Sequence, residues 1–448
     1  MSGIALVAHE RGMNVSGSDM RASHSTAALR ERGIAVAIGH DAANVPPGCD
    51  AVVISTAIPA SNPELVAARE RGIAVWHRSQ MLAALGEGRK TLACAGTHGK
   101  TTSSSMLATT IERMGLSPSF VIGGQVDAYG TNAADGSGEY YIVEADESDG
   151  SFVHLQPHVA LITNIEPDHL DHYGSLDAIY EAFGDFVSLL PDDGAAVVCG
   201  DDAAIARLVR SRGKRAIVYG PAGQEGVDVS YRVTGQSGIG HSFDVAFPDG
   251  QLVHTSISSN PGIHNVSNAT GVLAVVWACG LDVERAAEAL STFSGVRRRF
   301  DIVGYAAGVT VVDDYAHHPT EIQATISAAA QLSFSHVHVL FQPHRYTRTQ
   351  QLAEAFGSSF DAADSVTFMD VYAAGEAPIP GISGKTLVAS TLAHDARAQV
   401  AWMPHRGEIA GYLAGKLHDG DVLITMGAGD VTGMGPIVLD ALKGQRTA

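Results

Sequence analysis

An α/β architecture of three domains is what this sequence predicts, and three observations predict it. Short β-branched runs alternate with helix-compatible segments along nearly the whole chain, which is the pattern of parallel βα units. Almost every such run ends in polar residues, so a ligand edge is expected along the carboxyl ends of the strands. The 448 residues and their 45% hydrophobic content supply enough apolar surface for two to four cores.

Bulk properties exclude several classes. A formal charge of −19 argues against general nucleic-acid binding, which asks for a basic face, although an acidic protein still holds phosphates in a local pocket. The four cysteines (Cys49, Cys94, Cys199, Cys279) form no C-x-x-C pair, so reduced thiols and no cysteine zinc site are expected. No apolar run reaches about 18 residues, and the start lacks the layout of a signal peptide. The expectation is a cytoplasmic protein with no membrane partner.

The first domain is set at 1–88 and reads as Rossmann-like. A helix is predicted over 4–13, a strand over 14–18 ending at Asp19, and a helix over 25–32. Strands at 35–38, 51–54 and 74–76 follow, with a helix over 63–71. Asp19 and Ser55 fall at strand ends. Asp19 is read either as an acceptor for a ribose or base or as a turn cap.

The second domain, 89–295, opens on the most informative stretch of the chain. A strand over 90–95 feeds Gly96-Thr97-His98-Gly99, and Lys100-Thr101-Thr102 starts an apolar helix. Strand, phosphate-sized loop and helix N-terminus together present backbone N–H groups and a lysine to an anion, with a threonine hydroxyl placed for Mg²⁺. The common P-loop pattern has a glycine where this chain has Cys94, so the generic motif is matched in part. Strands at 140–144, 159–163, 195–198 and 216–219 follow. Two of them end in polar loops, Glu144-Ala-Asp-Glu-Ser-Asp149 and Asn164-Ile-Glu-Pro-Asp-His-Leu-Asp171. Carboxylates beside a polyphosphate hold a hard cation through oxygen, and an imidazole completes a second shell. Residues 227–259 read as an antiparallel appendage of short strands. A helix over 266–279 then has His264, Asn265 and Asn268 at its start, where Asn265 taken alone is an N-cap and His264 a loop residue.

The third domain, 296–448, begins with Arg297-Arg298-Arg299-Phe300. Strands at 309–312, 337–341, 366–369, 400–402 and 422–425 define another open α/β domain. Their ends carry Asp313-Asp-Tyr-Ala-His-His-Pro319, Gln342-Pro-His-Arg-Tyr-Thr-Arg348 and Gly427-Ala-Gly-Asp430.

These motifs, in this order, resemble the Mur ligase family of peptidoglycan synthesis over essentially the whole chain; Asp370-Val-Tyr-Ala-Ala-Gly-Glu376 belongs to the same set. The resemblance implies an ATP- and Mg²⁺-dependent amide ligase. Its substrates would be UDP-N-acetylmuramate and L-alanine, with the tripeptide-attaching recycling ligase and a nucleotide binder without ligase activity as alternatives. Residue by residue it implies Lys100 on the ATP phosphates within the loop Gly96 to Thr102, and Thr101, Glu144 and His169 on metal. It places His264, Asn265 and Asn268 around adenine, Asp314 on ribose and Arg299 on the phosphates. Tyr315, His344, Arg345 and Arg348 would lie at the amino acid, with His344 helping to take a proton, and Asp19 and Ser55 on the uridine side. A monomer or weak homodimer is expected. Family members begin with a strand and a Gly-rich loop ending Gly-Met-Ser-Gly-Ile-Ala; this sequence begins at the tail of that loop, so its first strand is expected to be missing.

Overall fold

The computed structural model of the chain describes residues 1–126 and 128–445, which form two compact units. The first comprises 1–234, 243–256 and 267–294, and the second 235–242, 257–266 and 295–448.

Within the first unit, β1 (Ser16–Asp19) pairs in parallel with β2 (Ala35–Ile38), and β3 (Ala51–Ile54) with β4 (Ala74–His77). Each pair is a two-stranded sheet of its own. Helix Ser2–Glu10 buries Ile4, Leu6 and Val7. Gly3 lets that helix close on its neighbour, since a Cβ there would stand 3.0 Å from that of Ala133.

The large sheet is built on β5 (Lys90–Ala95). Its strands are β6 (Ser119–Val126), β7 (Thr131–Ala134), β8 (Tyr140–Glu144), β9 (Val159–Ile162), β10 (Ala195–Cys199), β11 (Ala216–Pro221), β12 (Val229–Ser237), β13 (Gly240–Ala246) and β14 (Leu252–Ile257). Their order is β14-β13-β12-β11-β10-β9-β5-β8-β6-β7. Five of β5's six residues are buried and apolar or small, as a strand covered on both faces requires. It lies in parallel between β8 and β9. There the chain's progression across the sheet reverses, and such a switch point opens a crevice at the strand ends. Phe152, Phe183 and Phe186 fill the core beneath, with Phe152 stacked on Phe186 at 4.9 Å between centroids.

The second unit carries β15 (Asp301–Ala306), β16 (Val309–Asp314), β17 (Val337–Phe341), β18 (Ser365–Phe368), β19 (Val400–Trp402) and β20 (Val422–Met426), ordered β15-β16-β20-β17-β18-β19. All neighbours are parallel except β15 against β16. Phe341, Phe356, Phe360 and Phe368 form its aromatic centre.

Sequence expectation and structure part in two places, and in a third the structure adds detail. The antiparallel appendage after β11 is joined to the large sheet, since β12 pairs in parallel with β11. Only the links at 238–239 and 247–251 are hairpin-short, so the antiparallel reading holds for β12 to β14 alone. Strands β6, β7 and β15 were not expected, because Gly123-Gly124 interrupts the alternation of β6 and β7 is short and polar. Helix Ile263–Ala278 begins earlier than predicted, so Asn265 is inside its first turn and is not its N-cap. No helix among the described residues is long and apolar enough to cross a membrane.

Replacing Phe341 with alanine removes a wholly buried ring that packs on three others. The expected cost is about 3–5 kcal/mol, read as a lower urea midpoint for the transition of the second unit, with that of the first unchanged.

Candidate active site

The loop after β5 is shaped by two left-handed glycines. Gly96 has φ +126°, and a Cβ on it would stand 2.3 Å from Thr163 Oγ1 and 2.9 Å from the Asn164 carbonyl oxygen. Gly99, at φ +83°, is the N-cap of helix Lys100–Arg113, and a Cβ there would meet Asn268 Oδ1 at 3.0 Å. Only glycine satisfies both the torsion and the approach. Cys94, standing where a common P-loop has glycine, is fully buried in the strand. Burial pushes its thiol well above the usual range, so it stays protonated.

The loop is clamped by the polar segment after β9. The His98 N–H donates to Asn164 Oδ1 at 2.8 Å, Asn164 Nδ2 donates to the His98 carbonyl at 3.1 Å, and the Thr97 N–H donates to the Asn164 carbonyl at 3.1 Å. The Glu166 N–H in turn donates to Thr97 Oγ1 at 2.9 Å. Asn164, read from sequence as part of a metal-bearing loop, therefore also holds the phosphate loop in shape.

Lys100 is folded back. Its Nζ donates to the Gly96 carbonyl, to the Thr97 carbonyl at 3.1 Å and to Glu147 Oε1 at 2.8 Å. Burial alone would lower its pKa, but Glu147, with Asp146 and Glu144 behind it, outweighs that and holds it above the ordinary lysine value. Glu147 is 3% exposed, and its Oε2 is buried without a hydrogen-bond partner. Burial pushes its carboxyl up against the pull of Lys100. Three acceptors hold the charged form of Lys100, while Glu147 has one oxygen engaged.

Beside this pair, Glu144 accepts from Thr101 Oγ1 at 3.2 Å, from Ser104 Oγ at 3.2 Å and from the Gly123 N–H at 2.8 Å. His169, in left-handed backbone at the start of the short helix Leu170–Tyr173, brings Nε2 to 3.6 Å from Asp168 Oδ2 and 4.0 Å from Glu147 Oε1. Thr102 is buried under the first turn of helix Lys100–Arg113. Lys100, Thr101, Glu144, His169 and Asn268 thus gather about one strand edge. Two groups there escaped the sequence reading: Glu147, and Arg78, which bonds Asp146 and lies 3.8 Å from Asp149. Burial would raise the Asp146 carboxyl, but Arg78 and Lys100 hold it far below the carboxylate range.

At the two-stranded sheets, Asp19 Oδ1 accepts the N–H of Arg21 at 3.0 Å, which is the turn-cap role. The Ser55 carbonyl accepts the N–H of Ile58 at 3.0 Å. The better-connected group nearby is one the sequence did not single out. Glu64 accepts from Ser18 Oγ at 2.6 Å and Asn44 Nδ2 at 2.7 Å, with His40 at 3.5 Å.

In the second unit, Asp314 ends β16, nearly fully buried, with Oδ2 accepting the Phe300 N–H at 2.8 Å and Oδ1 the Ala316 N–H at 2.7 Å. Burial raises its pKa to about 6, against the pull of Arg299 and the two N–H groups. The arginines divide. Arg298 is a clasp, donating to Asp313 at 3.2 Å and to the Gly427 carbonyl at 2.6 Å. Arg299 meets Glu321 at 3.5 Å and lies 5.2 Å from the centroid of the Tyr315 ring. His344 stacks on Tyr372 at 5.7 Å and meets Arg348 Nη1 at 3.3 Å, while Arg345 occupies left-handed backbone and donates its N–H to the Tyr372 carbonyl. His264 is exposed, and Asn265 donates to the Pro261 carbonyl at 2.8 Å.

Comparison with known proteins bears on what this constellation is. Residues 1–90 match the Mur ligase family catalytic domain, 94–276 the Mur ligase middle domain and 298–429 the Mur ligase glutamate ligase domain. A UDP-N-acetylmuramate--L-alanine ligase of Renibacterium salmoninarum is 43% identical over 99% of this chain and 93% of its own length. The chain belongs to the Mur ligase family. Another relative of the same description, from Mycobacterium sp. (strain JLS), is 44% identical over 99% of this chain and 93% of its own. Among solved Mur ligase structures, a UDP-N-acetylmuramate-alanine ligase from Thermotoga maritima aligns with a TM-score of 0.81 at 27% identity, covering 100% of this chain and 97% of that one. A murein peptide ligase from Psychrobacter arcticus shares the fold, with a TM-score of 0.73 at 24% identity, covering 99% and 96%.

Two outcomes follow from the geometry. Glu147→Gln strips a largely enclosed ammonium, 17% exposed, of its carboxylate, so stability should fall by roughly 1.5–3 kcal/mol in chemical denaturation of the first unit. Asp314 binds its proton more tightly folded than unfolded, near 6 against 3.8, so its contribution is fully present below pH 3.8 and is lost as pH rises to 6. Unfolding titrations across that window should show stability of the second unit declining by up to about 1.4 kcal/mol per pH unit from this group. Asp314→Asn should abolish that slope.

Proposed function

We propose that this Mur ligase joins L-alanine to the lactyl carboxylate of UDP-N-acetylmuramate, with ATP converted to ADP and phosphate. The observation that carries the reading is the loop Gly96 to Thr102 with the buried Lys100–Glu147 pair beneath it, in a chain 43% identical over 99% of its length to a UDP-N-acetylmuramate--L-alanine ligase. We divide the chain as 1–88 for the sugar nucleotide, 89–295 for ATP and 296–448 for the amino acid.

A carboxylate is a poor electrophile, so it is first activated. A lactyl carboxylate oxygen attacks the ATP γ-phosphorus, the bond to the ADP oxygen breaks, and an acyl phosphate forms. The alanine amine, having lost a proton, attacks the acyl carbon; the tetrahedral adduct collapses and expels phosphate. Negative charge gathers in both steps, and fixed cations and N–H dipoles stabilise it without reorganisation. Lys100 supplies such a cation, and the N–H groups at the start of helix Lys100–Arg113 face the phosphates. To reach a phosphate, Lys100 exchanges its carbonyl contacts for phosphoryl oxygens.

Mg²⁺ suits the first unit. Its donors are hard oxygens from Thr101 and Glu144, and the orphaned buried Glu147 Oε2 is a further acceptor that a cation or a hydrogen-bond donor would satisfy. Thr101 and Glu144 would hold one ion and His169 would help to hold a second. Bound Mg²⁺ would neutralise phosphoryl charge.

In the second unit, Arg345 or Arg348 grips the alanine carboxylate bidentately, Tyr315 lines that site, and His344, fixed by Tyr372, helps to take the amine proton. Arg299 serves the phosphates. The adenosine contacts are Asp314 to ribose and His264, Asn265 and Asn268 to adenine. Asp19 and Ser55 are assigned to the uridine side. The chain acts as a monomer or weak homodimer in the cytoplasm.

Phosphate release should require ATP, UDP-N-acetylmuramate and L-alanine together, and Lys100→Ala should lower it by at least about 10²-fold, the usual loss on removing a group that stabilises transition-state charge. Release without the sugar nucleotide or the amino acid would point to a hydrolase. Preference for a tripeptide over alanine in direct competition would point to the recycling ligase.

A further inference from the structure

Far along its strands from the carboxyl-end edge, the sheet of the second unit gathers a second set of metal-ligand side chains. His336 immediately precedes β17 and His338 lies within it; at a spacing of two they share a face. Asp421 immediately precedes β20, the neighbour of β17, and the ladder pairs Val337 with Val422 and His338 with Leu423. His336 Nδ1 lies 2.9 Å from Asp421 Oδ1, and His338 Nε2 lies 3.2 Å from Asp421 Oδ2. The ligating atoms of all three residues fall within 4.8 Å of one another.

We propose that His336, His338 and Asp421 form a binding site for a divalent transition ion of the zinc class, separate from the ATP-linked Mg²⁺ chemistry. The ligand set is two imidazoles and a carboxylate, which zinc, cobalt and nickel accept and Mg²⁺ does not favour. The two separations are near the edge of a zinc tetrahedron, about 3.3 Å for bonds near 2.0 Å, and they run to different oxygens of Asp421, so an ion would take the carboxylate through both oxygens or draw the two imidazoles toward one. The outer contacts match what metal sites need. Ser365 Oγ holds His338 Nδ1 at 2.7 Å and turns Nε2 to the cluster. The His418 N–H donates to Asp421 Oδ2 at 2.8 Å and fixes the carboxylate. Backbone bonds lock the platform, with Val422 N–H to the His336 carbonyl at 3.0 Å and Ser335 N–H to the Gly420 carbonyl at 2.8 Å. Asp421 is 1% exposed, whereas the His336 side chain is 58% exposed and gives an ion its way in. The fourth position is left to water or to His418, whose Nδ1 is 3.9 Å from Asp421 Oδ2. An ion there would staple the starts of β17 and β20 and stabilise the unit by mass action.

The competing account is a hydrogen-bond hub, in which both imidazoles donate N–H groups to Asp421 and no ion binds. Co²⁺ titration of the chelator-treated full chain, read by visible d–d absorption and by calorimetry, separates the two. The expected result is one equivalent bound with a tetrahedral-type spectrum, displaced by Zn²⁺ and not by excess Mg²⁺, and a raised Tm with Zn²⁺. His336→Ala, at an exposed position, should weaken binding at least 100-fold and remove the Tm rise while alanine ligation without zinc is unchanged. Ser365→Ala should weaken binding about tenfold, and Glu144→Gln should leave it intact. No tetrahedral spectrum in the wild type, or a spectrum and affinity unaltered in His336→Ala, would overturn the site.

Discussion

Lys100 and Glu147 are opposite charges closed in together, and the candidate site depends on that enclosure. An ammonium with 17% of its side chain exposed is tolerable only because two carbonyls and a carboxylate surround it. The same contacts fold the lysine back onto its own loop, so Gly96 and Thr97 are held by its cation. Glu147 in turn keeps one oxygen in a buried place with no proton donor. A fully satisfied pair would have little reason to open. In the proposed mechanism a lysine bonded to its own loop and a carboxylate half engaged exchange those contacts for phosphate and cation.

Around that pair the fold supplies position. The crevice exists because β5 lies between β8 and β9, so the loops leaving all three strands converge. Asn164 braces the phosphate loop from the β9 side, and Glu144 reaches Thr101 from the β8 side. Glu144 is the last residue of β8 and Asn164 lies two residues past the end of β9, which keeps both precise without long loops. Arg78 adds a third support by drawing Asp146 away from Lys100, leaving Glu147 as its close partner.

Much of this was legible in the sequence, for physical reasons that differ by residue. β5 was placed to the residue, since a buried parallel strand followed by two glycines and a lysine admits few readings. The placing of Glu144 at the end of β8 followed from the apolar run before it. Glu147 could not be told from Asp146 or Asp149, because in a run of polar residues only burial distinguishes them. Arg78 lies before the loop by a distance in sequence that carries no pattern, and only folding brings it near. β6 was hidden by Gly123-Gly124, whose lack of side chains makes room for the Glu144 carboxylate: a Cβ on Gly123 would stand 2.9 Å from Oε2. The residue that obscured the strand thus also gives the carboxylate room and, through its N–H, a hydrogen bond of 2.8 Å.

Arg298 and Arg299 show how a sequence can be right about a cluster while leaving the division of labour open. Three consecutive arginines in an acidic chain invite a phosphate role for all. Arg298 and Phe300 both take left-handed torsions, φ +62° and +53°, and although both guanidinium groups lie over the Tyr315 ring, at 4.8 and 5.2 Å from its centroid, their polar partners differ. Arg298 is spent on Asp313 and the Gly427 carbonyl, tying the start of the second unit's sheet to the end of β20. Arg299 lies against the Tyr315 ring with its charge toward Glu321, an ion pair of 3.5 Å that is longer and weaker than a bidentate clamp. The motif treats the two arginines alike; what divides them is the neighbour each meets once the chain is folded, a strand-end carboxylate and a carbonyl for Arg298 and a helix carboxylate for Arg299.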